Sequence, residues 1–261
     1  MSEPAPKHVL ITGAAGAIGG AVARRMRAAW PTARLALLDR DVDSMRALAG
    51  ELGNSSVHAV DLRDLEGLPA KVAAIEKAAE LPLDGLVNCA GVMKVQQLQT
   101  WRWEEARDLI AIDLIAPLRL QDLVARGMVE RGEGVIVNVA SMAGKVPLKG
   151  CTYYGASKAG LAMASEIARA DLAPHGVRVV TVYPGPVKSQ LEQGARDAYG
   201  GGGVMGKFAP TGDPDELARR IMHALSHDEP RVIYPRLYNV GWSAPNLSGW
   251  LSLSYGPPPV S

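Results

Sequence analysis

A single-domain α/β fold built on one doubly wound parallel sheet is what this sequence predicts, and three observations carry the prediction. Short β-branched or leucine-rich runs alternate with longer Ala/Leu/Arg stretches of helical period, the pattern of repeated strand–helix units packed around a parallel sheet. A cluster of glycines stands where the first strand gives way to the first helical stretch. The 261 residues, 48% of them hydrophobic, suffice to bury one large core.

Taken in order, strands are expected at about 8–12, 34–39, 56–60, 83–88, 134–139, 177–182 and 231–234, about seven in all, with helices between them on both faces of the sheet. Two helix starts are well marked. Thr100 precedes Trp-Arg-Trp-Glu-Glu, and Asp213 precedes Pro214, with Glu216 three residues after the cap. Residues 189–212, with Gly200 to Gly203 in a row, show no firm periodicity and read as a mobile loop, a candidate lid over a site at the strand ends. Beyond about residue 235 an aromatic tail, 236–261, contains Trp242, Leu247, Trp250, Leu251, Leu253 and Tyr255. These side chains are expected to pack on this subunit or on a partner. Docking on a membrane surface is disfavoured because basic residues do not flank them.

Charge excludes several classes of function. Lys and Arg number 28 against 27 Asp and Glu, a formal net charge of +1, with no footprint for nucleic acid or an anionic membrane. Cys89 and Cys151 have neither metal-ligand nor disulfide-framework spacing, so no metal is expected and a reducing cytoplasm is the expected home. No secretory signal or membrane-spanning run is read from the sequence. Lys94, Lys145, Lys149 and Lys188 fall near strand ends and hint at an acidic substrate, although ordinary solvated surface explains each of them singly.

The strand His8 to Thr12 runs into Gly13-Ala14-Ala15-Gly16-Ala17-Ile18-Gly19-Gly20. Glycine there lets the backbone approach a pyrophosphate, and the free amides of a helix start favour its charge. Asp39 closes the second strand about 20 residues beyond the last glycine, where a carboxylate can hold ribose hydroxyls. Asp61 ends the third strand and either reaches the adenine edge or caps the helix that follows. Tyr154 and Lys158 are four residues apart and share one face of a helix, and a nearby ammonium favours tyrosinate over phenol. Taken alone, such a pair is usually a surface pair; with a nucleotide cradle upstream it becomes an acid/base centre.

These motifs, in this order, give the chain a resemblance to the short-chain dehydrogenase/reductase family up to about residue 235: Thr12-Gly13 to Gly19, Asn88-Cys89-Ala90-Gly91, Ser141, Tyr154-Gly-Ala-Ser-Lys158, and Pro184-Gly185-Pro186-Val187. The resemblance implies a Rossmann-like domain and an NAD(P)-dependent oxidoreductase that interconverts an alcohol and a ketone or aldehyde. Tyr154 would be the acid/base, Ser141 would orient the substrate oxygen, and Lys158 would also hold the nicotinamide ribose. The cofactor is expected against Gly13, Ala15, Gly16, Ala17, Ile18 and Gly19; Asp39 and Arg40; Asp61 and Leu62; Asn88, Ala90 and Gly91; Tyr154 and Lys158; and Pro184, Gly185, Val187 and Ser189. Asn88 to Gly91 should support the central sheet first, and Ser189 stands where the family usually has Thr.

NAD is expected over NADP, because Asp39 repels a 2′-phosphate and no Arg or Lys stands at Gly16 to offset it, with Arg40 the residue able to oppose this choice. The family's pairing of helices across a two-fold axis implies a homodimer or homotetramer through 100–130 and 153–173, where Gly160, Ala164 and Ala168 permit close approach. Three departures stand out: Ala17 replaces the middle glycine of the usual pattern, Asp113 replaces an Asn of the family's catalytic group, and Arg231-Val-Ile-Tyr-Pro-Arg236 with the aromatic tail stands where many relatives have a last strand and an Asp-Gly-Gly turn. By resemblance, Asp113 would accept from a water linked to Lys158 and favour the ammonium form of that lysine. A catalytically weak dinucleotide-binding sensor or scaffold is the rival from another class, and dehydration or epimerisation through the same tyrosine is the rival chemistry.

Overall fold

The computed structural model describes residues 5–200 and 210–259. Among these, seven strands form one parallel sheet: β1 His8–Thr12, β2 Arg34–Asp39, β3 Ser55–Ala59, β4 Gly85–Asn88, β5 Gly134–Val139, β6 Val177–Pro184 and β7 Arg231–Tyr234, in the order β3-β2-β1-β4-β5-β6-β7. All seven expected strands are present, with bounds shifted by two residues at most. The helices are α1 Ala17–Ala29, α2 Val42–Leu52, α3 Leu68–Ala79, α4 Trp103–Ile110, α5 Ala116–Arg131, α6 Thr152–Leu172, α7 Gln190–Ala198, α8 Pro214–Ser226, α9 Asn239–Ser243 and α10 Pro245–Tyr255.

Successive strand residues point to opposite faces, so a sheet covered on both sides needs near-continuous apolar runs. Val9 and Ile11 pack with Val22, Met26, Met45 and Leu217 of α1, α2 and α8, whereas Leu10 packs with Val72, Leu120 and Val124 of α3 and α5. A buried polar chain crosses the sheet centre. Asn88 Nδ2 donates to Asn138 Oδ1 at 2.9 Å, Asn138 Nδ2 donates to Gln121 Oε1 and Ser165 Oγ, and Thr181 Oγ1 donates to Ser165 Oγ at 2.8 Å. These bonds fix β4, β5 and β6 against α5 and α6, and in a low-dielectric interior each is costly to leave unmade.

Asp213 caps α8 as expected, accepting from the backbone N–H groups of Asp215 and Glu216 with Pro214 in the first turn. Thr100 does not cap α4. It closes the 3-10 turn Leu98–Thr100, its hydroxyl donates to the Gln97 carbonyl at 2.9 Å, and α4 begins only at Trp103 after an extended Arg102.

The segment expected as a loop over 189–212 opens instead with α7, because the Ser189 hydroxyl accepts from Glu192 N–H and starts a helix there. Residues 201–209, including Gly201 to Gly203, lie outside the described residues. The tail is helical. Trp242 of α9 packs edge-on against Tyr183, with ring centroids 4.5 Å apart, and lies beneath the Lys145 ammonium and the Arg231 guanidinium. Its outer face is bare, with Leu247 58% and Trp250 57% exposed. No helix of the described residues is long and apolar enough to cross a membrane.

Candidate active site

The chain leaves β3 and re-enters the sheet on the far side of β1 as β4. The connections therefore diverge between β1 and β4, and a crevice opens at their carboxyl ends. Thr12 ties the two ends together. Its Oγ1 accepts from the backbone N–H groups of Cys89 and Ala90, each at 3.1 Å. The turn that follows must be glycine at two points. Gly13 has a φ of +68°, and a Cβ on it would lie 2.7 Å from the Ala90 backbone, while a Cβ on Gly19 would fall 2.1 Å from the Gly13 carbonyl. Ala17 is the first residue of α1, where a methyl is accommodated.

From this turn a cavity of about 1230 Å³ runs along the strand ends to Tyr154. Most residues expected at the cofactor line it: Gly13, Ala15 to Gly19, Asp39, Arg40, Asp61, Leu62, Ala90, Gly91, Tyr154, Lys158, Pro184, Gly185, Val187 and Ser189. Asp39 is fixed by its neighbours, since Oδ2 accepts from Ala15 N–H at 3.1 Å and Oδ1 from Arg40 N–H at 2.7 Å. Asp61 lines the cavity but is gripped by Arg63, through the backbone N–H and the guanidinium, which holds its carboxyl down at about 2. Arg63 also donates to Asp108. Asn88 is not in the cavity wall. It is buried behind it, its amide spent on Pro117 O and Asn138 Oδ1, so its part is to hold the sheet.

At the other end, Ser141 follows β5 and its Oγ accepts from Ala143 N–H at 3.1 Å. Tyr154 and Lys158 project from the first turns of α6, 7% and 3% exposed. Lys158 Nζ donates to the Val139 carbonyl at 3.2 Å and lies 5.9 Å from the Tyr154 ring centroid. Asp113, fully buried, sits behind this pair outside the cavity wall. Its Oδ1 accepts from Val92 N–H at 2.8 Å, and Oδ2 lies 3.8 Å from Lys158 Nζ with no hydrogen-bond partner among the described residues. It touches Lys158 from behind and does not line the cavity. The helix is wound as a π-turn over Ala111–Ile115, which carries Asp113 inward; such turns cluster at functional sites.

The expected lowering of the Tyr154 pKa does not arise from the chain alone. Burial pushes the phenol well above its ordinary value and the charge of Asp113 adds to this, opposed by the hydrogen bond to Ser141. Asp113 is itself raised to about 6, by burial against the pull of Lys158. Of the four lysines read as a hint of an acidic substrate, only Lys149 lines the cavity, and its ammonium donates to the Gly256 carbonyl. Lys94 pairs with Glu105.

A family model described as short chain dehydrogenase matches residues 7–200. The chain belongs to this family. It is therefore an oxidoreductase of the class that uses a nicotinamide dinucleotide. D-threitol dehydrogenase of Mycolicibacterium smegmatis is 36% identical over 228 residues, 84% of this chain and 86% of its own length. Among solved structures, a metagenomic short-chain oxidoreductase in complex with NADP is 29% identical with a TM-score of 0.72, covering 87% of this chain and 96% of that one. A short-chain dehydrogenase from Sphingobium yanoikuyae in complex with NADPH is 27% identical with a TM-score of 0.76, covering 95% and 96%. In this short-chain dehydrogenase a Cβ on Gly13 or Gly19 would run into the backbone of Ala90 or of the turn itself, so the glycines keep the turn tight at the start of α1, and such a turn fits the pyrophosphate of a dinucleotide.

Two outcomes follow. Gly19→Ala should raise the Kd for NADH or NADPH at least tenfold in a fluorescence titration, whereas Ala17→Gly should stay within about threefold of wild type; equal affinities for wild type and Gly19→Ala would remove the cradle from cofactor binding. Asp113 binds its proton near pH 6 when folded but near 4 when unfolded. The folded state therefore holds the extra proton within that window, and stability falls as pH rises through it. Asp113→Asn abolishes this cost. Denaturant unfolding at pH 8 should find the variant more stable by on the order of 2–3 kcal/mol, with the gap closing toward pH 4. A variant less stable than wild type at pH 8 would show that the ion pair with Lys158 outweighs burial.

Proposed function

We propose that this short-chain dehydrogenase interconverts an alcohol and its ketone or aldehyde, with Tyr154 transferring the proton. One observation carries the reading: Ser141, Tyr154 and Lys158 meet at one end of the cavity whose other end is the glycine turn. A bound nicotinamide dinucleotide supplies or accepts the hydride. Gly13 to Gly19 would hold its pyrophosphate, Asp39 its adenosine ribose, and Lys158 the ribose near Tyr154. In carbonyl reduction, Tyr154 gives its phenolic proton to the forming alkoxide while the Ser141 hydroxyl orients the same oxygen; in oxidation Tyr154 takes the proton back. Lys158 holds a positive charge beside the phenol, and an oxidised nicotinamide held there would add to it. Both oppose the upward push of burial and of Asp113.

For the cofactor we infer NAD over NADP. The Asp39 carboxylate, fixed by Ala15 N–H and Arg40 N–H, accepts from two ribose hydroxyls and repels a 2′-phosphate. The solved relatives named above carry NADP or NADPH, and Arg40 lines the cavity beside Asp39, so Asp39 is the residue on which the choice turns. We also infer a second copy of the chain against α6, where Met163 and Ile167, 64% and 54% exposed, form one stripe. Gly160, half-buried on the same helix, lies against Leu114.

Tyr154→Phe should lower kcat at least 10³-fold while leaving the dinucleotide Kd within threefold; comparable turnover in variant and wild type would overturn the assignment. Wild type should favour NAD over NADP at least tenfold in kcat/KM, and Asp39→Ala should narrow that ratio by improving NADP. A wild type that prefers NADP, with no gain for it in Asp39→Ala, would refute the cofactor argument.

A further inference from the structure

The half of the cavity beyond Tyr154, away from the glycine turn, is walled by parts of the chain that the proton-transfer group does not use. Val92 and Met93 enter it from the segment after β4, Val146 and Leu148 from the loop before α6, and Leu191 from α7. The tail closes the remaining side. Tyr238 and Gly241 approach from the turn and helix after β7, and Ser248, Leu251 and Ser252 present one face of α10 at helical spacing.

Several charged and hydrogen-bonding groups of this half are occupied within the protein. Lys149 Nζ donates to Gly256 O at 2.9 Å, and the Tyr199 hydroxyl donates to Lys149 O at 2.5 Å and contacts Cys151 Sγ at 3.3 Å. Glu192 and Arg196 pair with each other, and Arg196 also reaches Thr211. The neutral hydroxyls of Tyr238, Ser248 and Ser252 are what the tail adds to a mainly apolar wall. A ligand hydroxyl carried into such a wall gives up its bonds to water without replacing them, and an anion loses more. An apolar body loses nothing and gains from burial.

We propose that the substrate is an uncharged alcohol or ketone with an apolar body, its single reacting oxygen read by Ser141 and Tyr154, and that Leu148 and Leu251, which both line the cavity, select that body. This rests on the alcohol/carbonyl reading above. It sets the chain apart from the relative named for D-threitol, a polyol whose further hydroxyls would have few partners here.

The test compares kcat/KM, with NAD and NADP, for 2-octanol, 1-indanol and cyclododecanol against D-threitol, glycerol and 2,3-butanediol. The apolar alcohols should exceed the polyols at least 100-fold. Leu251→Ser and Leu148→Ser should each cut the apolar advantage about tenfold, mainly through KM, with the dinucleotide Kd unchanged. Tyr154-dependent oxidation that favours the polyols, or is indifferent to polarity, overturns the proposal and leaves the alcohol/carbonyl reading standing. Absence of hydride transfer with every compound, despite cofactor binding, defeats the alcohol/carbonyl reading instead. Calorimetry of cyclododecanol on Tyr154→Phe carrying bound cofactor then decides the pocket separately: saturable binding weakened by Leu251→Ser supports it, and no binding overturns it.

Discussion

The strand order reverses beside β1, and much else in the molecule follows from that constraint. Because all seven strands are parallel, their carboxyl ends lie along one edge, and the divergence of the chain between β1 and β4 leaves a gap there that no connection crosses. Thr12 sets the width of the gap by accepting two backbone N–H groups from the start of the β4 loop. Gly13 and Gly19 let the turn fold under it without a Cβ in the way. The cavity, the position of Asp39 at the end of β2 and the placing of Ser141 after β5 are consequences of the same geometry, with the buried amides of Asn88 and Asn138 holding the neighbouring strands in register.

Within that frame, two buried charges set the electrostatics. Asp113 and Lys158 lie 3.8 Å apart with almost no exposure, and desolvation dominates the carboxylate, which is why it is raised to about 6 in spite of the ammonium beside it. The carboxylate then pushes Tyr154 in the direction opposite to the one oxidation requires. An Asn in its place would keep the hydrogen bond from Val92 N–H without the charge. On the acid/base reading proposed for Tyr154, the aspartate would act as an electrostatic brake on the phenol, released as pH falls through its own titration, with Lys158 working against that brake.

Where local pattern is decisive, the sequence was readable. The apolar runs of β1 and β5, the Asp213-Pro214 cap and the glycine turn all depend on neighbours a few residues away, and they appear in the structure where the sequence put them. Features that depend on tertiary partners were not. Thr100 looked like a cap, but its hydroxyl turns back to Gln97. The apolar stripe of α7, Leu191 and Ala195 with Tyr199 just beyond its end, faces the cavity, and a face of so few residues is too short for periodicity to announce a helix within 189–212. Asn88 reads from its motif both as a support of the central sheet and as a cofactor contact, and only its bonds to Pro117 and Asn138 show the amide turned to the sheet. The polar letters Asn138 and Thr181 inside apolar strand runs were a usable signal for the buried network. The inward position of Asp113 depends on a π-turn that no spacing rule announces, and the tail's share in the cavity wall required the fold of α9 and α10.

The coupling of Asp113 to Tyr154 through this buried cluster is tested most directly by the pH dependence of kcat/KM for alcohol oxidation in wild type, Asp113→Asn and Asp113→Leu. With the charge removed and the hydrogen-bonding shape kept, Asp113→Asn should remain active with the acid limb of its profile displaced to lower pH. Asp113→Leu, which strips Val92 N–H and Lys158 of their polar neighbour, should lose most of its activity. Three superimposable profiles would contradict the account, because they would mean that the carboxylate has no electrostatic hold on the proton-transfer group.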